Sequence, residues 1–118
     1  MIESLMFISV AVVAWGCSNF IKNIFKIPRP HIALDSLTLS DSLYSFPSGH
    51  TTFFFALAMA MYFYHRKLAY SIALFGIAVS LARVSAGYHY PIDILGGAIL
   101  GIVVGYIGHR VYLKCRNY

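Results

Sequence analysis

Seven residues have types and spacings that together could do chemistry on an anion: Lys22, Arg29, Ser48, His50, Arg83, His89 and Asp93. Arg83, His89 and Asp93 form R-x5-H-x3-D. A carboxylate that holds one imidazole nitrogen fixes the tautomer and leaves the other nitrogen able to attack. Pro91 suits the first turn of a helix. Asp93 then falls in the same turn, where a carboxylate suits the helix dipole and can reach back to His89. A structural His–Asp cap is the plainer reading, and the cation beside the pair weighs against it.

Pro47-Ser48-Gly49-His50 directly precedes an apolar segment. Ser48 is a good N-cap, and Gly49 lets another group come close to the backbone. Open N–H groups at a helix start bind anions. A capped helix start explains Pro-Ser-Gly by itself. His50 is harder to explain so, because the positive helix end disfavours imidazolium unless an anion sits there. Lys22 and Arg29 are seven apart, and Pro28 and Pro30 bracket and stiffen Arg29. Its guanidinium is a planar fork suited to phosphate oxygens. Snorkelling at a helix end competes for Lys22 and Arg29 on even terms and is preferred for Lys26.

Taken together these groups suit a phosphoryl dianion. Three cations and a helix N-terminus would bind it, one histidine would be the nucleophile and the other the general acid. The sequence offers no Asp/Glu cluster for magnesium and no Cys/His set for zinc. A metal-free phosphohydrolase working through a phosphohistidine is expected, with no cofactor.

These residues need elements to hold them. Of the 118 residues, 59% are apolar and only 11% charged, and mean hydropathy is +0.72. Soluble domains carry about a quarter charged residues. The composition excludes disorder, a coiled coil and an ordinary water-soluble globule. The net charge of +5 does not indicate nucleic acid, because the basic residues lie between apolar segments without a long basic run. The two cysteines, Cys17 and Cys115, have no metal spacing and fall at different depths, so no disulfide is expected.

Residues 4–21, 51–64, 68–82 and 94–108 form four charge-free segments. They predict an all-α integral membrane bundle of about four transmembrane helices in a single domain, residues 1–118. A short interfacial helix is expected within 32–43. Four alternating helices put the first and third loops on one membrane face, which gathers all seven residues there. The opposite face carries Arg66, Lys67, Arg110, Lys114 and Arg116. The positive-inside rule then places both termini in the cytoplasm and the site outside an inner, plasma membrane. Gly97, Gly101 and Gly105 make a small-residue stripe for close helix packing, within the chain or, by the lesser odds, in a homodimer. His65 and His109 read as interfacial polar residues, as does His31, which lies nearest the site. Tyr62, Tyr64 and Tyr70 at one face and Tyr88 and Tyr90 at the other read as an interfacial belt.

Lys22-x6-Arg29-Pro30, Pro47-Ser48-Gly49-His50 and Arg83-x5-His89-x3-Asp93, in that order, resemble the three-part signature of the type 2 phosphatidic acid phosphatases. These are lipid phosphate phosphatases related to vanadium haloperoxidases. The resemblance implies His89 as nucleophile, Asp93 as its orienting partner and His50 as the acid. It implies Lys22, Arg29, Ser48, Gly49 and Arg83 as phosphate-binding residues. The substrate implied is a lipid phosphate monoester or pyrophosphate in the bilayer, such as undecaprenyl pyrophosphate or phosphatidic acid. The sequence departs from the family in having Ala82 where a serine is usual, which removes one hydroxyl donor. It also has one helix before the first motif where membrane members typically have three, so it is expected to lack two N-terminal helices. Two other readings compete: a non-catalytic membrane protein or subunit that binds phospholipid in the same pocket, and a haloperoxidase-like vanadate enzyme.

Overall fold

The computed structural model describes residues 2–27, 45–87 and 89–116. Helices α1 (Ile2–Phe25), α2 (Gly49–Tyr62), α3 (Arg66–Ser85) and α4 (Pro91–Arg116) follow in order. Among the described residues there is no strand. The interfacial helix expected within 32–43 lies outside them.

The four predicted segments are all helical, but they are not equivalent. Helices α1, α3 and α4 are long and apolar enough to cross a membrane. Helix α2 has 14 residues, about 21 Å at 1.5 Å per residue, against about 30 Å of hydrocarbon. Among the described residues, three of the four helices are thus long and apolar enough to span, and the fourth is a short central one. No residue of α2 from Thr51 to Tyr62 is exposed, because α1, α3 and α4 all pack on it.

Small residues make that packing possible. On α4, Asp93, Gly97, Gly101, Gly105 and His109 are all buried at a spacing of four. A Cβ at Gly97, Gly101 or Gly105 would lie 2.8, 2.6 or 2.7 Å from the carbonyl oxygens of Ser48, Thr52 and Ala56 respectively. Three glycines on one helix thus rest on three carbonyls of the next, spaced by the same four residues. The stripe packs against α2 inside the chain, the first of the two uses expected of it. On α3 the buried residues are Ala69, Gly76 and Ser80, and a Cβ at Gly76 would meet Phe54 Cβ at 2.7 Å.

Helix α1 buries Met6, Phe7, Val10, Ala11, Ala14, Ser18 and Lys22, one stripe at helical spacing. Its first turns join Ala60, Met61 and Ala69 in an apolar core at the end where α2 turns into α3. His109 belongs to this end too. It is only 6% exposed and stacks on Phe63 with ring centroids 4.2 Å apart. It is thus a packed residue, because it continues the buried glycine stripe by one more turn. Cys17 and Cys115 are both free thiols.

Candidate active site

The opposite end of the bundle carries the site. Helix α1 ends there with Lys26 in the left-handed region (φ 51°), its N–H bonded to the Lys22 carbonyl at 2.8 Å. Ser45 N donates to the Ile27 carbonyl at 2.8 Å, which ties the segment before α2 to the end of α1. Lys22, on the buried stripe of α1, is only 4% exposed. Its ammonium donates to the Pro47 carbonyl. The stripe itself was the available signal: Lys22 follows Ala11, Ala14 and Ser18 on the inward face, which makes snorkelling the weaker reading.

Ser48 is the N-cap of α2, as expected, and its side chain accepts from Thr51 N. Its backbone N–H donates to the Asp93 carbonyl at 3.1 Å, so the N-termini of α2 and α4 meet. Gly49 is buried, and a Cβ there would come within 3.1 Å of Trp15 Nε1 and 3.5 Å of Ser18 Oγ. The close approach expected at Gly49 is made by α1.

Pro91 opens α4 and Asp93 lies in its first turn. The Asp93 carboxylate is fully buried. Its Oδ2 accepts from Tyr90 N at 2.8 Å, half of a capping box, and lies 3.3 Å from His89 Nδ1. His89 is 3% exposed. A proton on Nδ1 directed at the carboxylate leaves Nε2 as the unprotonated nitrogen. The α3–α4 turn that delivers His89 runs through Gly87 at φ 85°, a conformation that suits glycine.

Ser48, Asp93 and His89 are therefore linked by direct contacts in one buried cluster, joined by Lys22 through the Pro47 carbonyl and by Gly49 as the residue after Ser48. Arg83 is in the last turn of α3, half-buried, at the same end. His50 is the second residue of α2 and exposed, unlike His89. Arg29, His31 and Tyr88 lie outside the described residues. Among the described residues, two helix N-termini, Lys22 and Arg83 lie at the end that holds the Asp93 carboxylate, an arrangement that suits an anion. Among the described residues, no three His, Cys, Asp or Glu side chains converge as a metal site requires.

Sequence reasoning missed the hydroxyls behind Ser48. Thr51, Thr52 and Ser80 are all fully buried. Thr52 Oγ1 donates to the Ser48 carbonyl at 2.8 Å, and Thr51 Oγ1 lies 2.5 Å from Ser80 Oγ on α3. The adjacent threonines after His50 were the only hint.

This architecture defines a class: an all-helical membrane bundle with a buried histidine–carboxylate pair beside a lysine at one end. The model of the PAP2 superfamily matches residues 4–117, and the chain belongs to that superfamily. It is 38% identical over 87 residues to the undecaprenyl-diphosphatase BcrC of Bacillus subtilis (strain 168), covering 70% of this chain and 44% of the relative. It is 29% identical over 119 residues to the lipid A 4'-phosphatase of Porphyromonas gingivalis, covering 93% of this chain and 50% of the relative. A phosphatidylglycerophosphatase B of Bacillus subtilis (strain 168) is 31% identical over 108 residues, with coverage of 81% and 53%. The chain thus spans about half the length of the curated relatives it matches. No solved structure matches it. With three helices fit to cross a bilayer and these relatives, the chain is an integral membrane protein.

Proposed function

We propose that this chain carries the catalytic core of a membrane phosphatase that hydrolyses a lipid phosphate monoester or a lipid pyrophosphate. The observation that carries the reading is the contact series from Lys22 through Pro47 and Ser48 to Asp93 and His89. It brings residues of all three sequence motifs together at one buried end.

His89 Nε2 attacks phosphorus, and the bond to the leaving-group oxygen breaks as the P–N bond forms. His50 gives that oxygen a proton. Water then attacks the phosphohistidine, His50 takes its proton, and inorganic phosphate leaves. Asp93 holds the reactive tautomer of His89 and stabilises the imidazolium. Lys22, Arg29, Arg83, Ser48 and Gly49 bind the phosphoryl oxygens, without a metal ion. Burial of Lys22, His89 and Asp93 keeps bulk water away and strengthens these interactions.

The substrate proposed first is a polyprenyl pyrophosphate, supported by the relative named undecaprenyl-diphosphatase. Phosphatidic acid and phosphatidylglycerol phosphate are the other two members of the test panel. The termini and the α2–α3 turn are proposed to face the cytoplasm of an inner-membrane protein, with the site outside. Arg66, Lys67, Arg110, Lys114 and Arg116 at the non-catalytic end support this. The test is phosphate release from the panel by detergent-purified protein, with radiolabelled substrate quenched to trap a phosphoenzyme. Release without any label on wild-type protein would remove the phosphohistidine step. No release from any substrate would leave the anion-binding alternative.

A further inference from the structure

Three buried hydroxyls behind the site form a chain whose protons can be counted. Ser48 Oγ accepts from Thr51 N at 3.3 Å and from Thr51 Oγ1 at 3.0 Å. A hydroxyl has two acceptor positions and one proton. Both acceptor positions of Ser48 are filled, so only its O–H is left to act. In one of the two possible directions, the single proton of Thr51 goes to Ser48. The 2.5 Å contact between Thr51 Oγ1 and Ser80 Oγ, which either hydroxyl could donate, is donated by Ser80 when Thr51 gives its proton to Ser48. Ser80 Oγ also lies 2.6 Å from the Gly76 carbonyl, which competes for the same proton. The direction Ser80 to Thr51 to Ser48 delivers one surplus proton at Ser48. Among the described residues, no acceptor apart from Thr51 itself faces that proton.

We infer that Thr51 and Ser80 are positioning residues that hold the Ser48 hydroxyl as a donor toward a phosphoryl oxygen. The inference rests on the proposed phosphate-binding role of Ser48. Ser48 is at the helix N-terminus, beside Lys22 through Pro47 and beside Asp93 through its own N–H. An anion oxygen arriving there takes the surplus proton and selects this direction of the chain. Without the anion, Ser80 can return its proton to Gly76 and Thr51 can turn to Ser80. The relay therefore favours a ligand that accepts only, such as an ionised phosphoryl oxygen, over one that must donate.

The test uses orthovanadate alone as the probe, titrated into detergent-purified protein, beside phosphate release from the lipid panel. Thr51→Val should weaken vanadate binding about tenfold, the size of one hydrogen bond to a charged group. Thr51→Ser, which keeps the hydroxyl and loses the methyl, should restore it. Ser80→Ala should weaken binding by a smaller factor. In the Ser48→Ala background, Thr51→Val should cause no further loss, because Thr51 acts through Ser48. Additive losses, failure of Thr51→Ser to rescue, or unchanged affinity in Thr51→Val would each overturn the relay. So would a wild-type protein that binds no vanadate. If Thr51→Val does not fold, Ser80→Ala alone and with Ser48→Ala completes the same cycle. Vanadate binding with the expected cycle but no phosphate release would overturn the catalytic reading and leave the relay standing.

Discussion

The backbone N–H of Ser48 donates to the backbone carbonyl of Asp93 at 3.1 Å. This one bond fixes the start of α2 to the first turn of α4. It sets the cap that would bind phosphate against the carboxylate that orients His89. The glycine stripe keeps it in place, since Gly97 sits one turn further along α4 on the carbonyl of the same Ser48.

His89→Ala is expected to abolish phosphate release while the protein still inserts into the membrane. Asp93→Asn keeps the shape of the side chain but loses the charge that stabilises imidazolium. It should lower kcat on the order of a hundredfold or more. Both are checked by phosphate release in detergent. Activity retained by His89→Ala would falsify the mechanism.

Lys22→Met removes a buried ammonium that bonds the Pro47 carbonyl and is proposed to bind phosphate. Vanadate inhibition should weaken by about tenfold or more. Lys22→Arg should fail to rescue, because at this 4% exposed position a planar guanidinium replaces the compact ammonium that bonds the Pro47 carbonyl. An inhibition constant unchanged in Lys22→Met would assign the lysine to structure alone.

Gly101→Ala and Gly16→Ala separate close packing from helix propensity. At Gly101 a Cβ would lie 2.6 Å from the Thr52 carbonyl, and overpacking of this kind costs about 1–3 kcal/mol. At Gly16 nothing lies within 4 Å, so alanine should be neutral or stabilising by up to about 1 kcal/mol. Thermal unfolding in detergent reads both. Equal effects at the two positions would contradict the glycine-on-carbonyl packing.

Chelation with EDTA should leave phosphate release unchanged, and orthovanadate should inhibit it competitively. Loss of activity on chelation, restored by a divalent cation, would point to a metal enzyme. The same preparation, given vanadate and halide, should show no halide oxidation.

Cys115 is exposed near the end of α4 and Cys17 is half-buried in α1. With Cys17 replaced by Ala, a membrane-impermeant maleimide should label Cys115 only after the inner membrane is opened. Labelling of intact spheroplasts would reverse the proposed orientation.

Much of this arrangement is legible in the sequence, and the reasons differ by residue. Asp93 and His89 are four apart around a proline-started helix, so local geometry alone brings them together. Ser48 is a cap by residue type. The shared end of the bundle follows from counting helices. The role of α2 was harder to see, because an apolar segment reads the same whether lipid or protein surrounds it. Its length, fixed by the cap at Ser48 and the turn after Tyr62, was the clue. The partner of the glycine stripe is a tertiary fact, and so is the contact of Thr51 with Ser80 across two helices. His109 looked interfacial beside Arg110, although its spacing from Gly105 already placed it on the buried face. Arg29 lies outside the described residues, and its place at the site comes from the motif.

The shortness of α2 has a mechanical meaning. Bilayers vary in thickness, and a spanning helix meets the mismatch by tilting or by deforming nearby lipid. Helices α1, α3 and α4 present the outer surface and bear that adjustment. Helix α2, about 21 Å long and wrapped by the other three, is insulated from it. The cap that starts α2 is thereby mounted on an element whose length the membrane does not dictate.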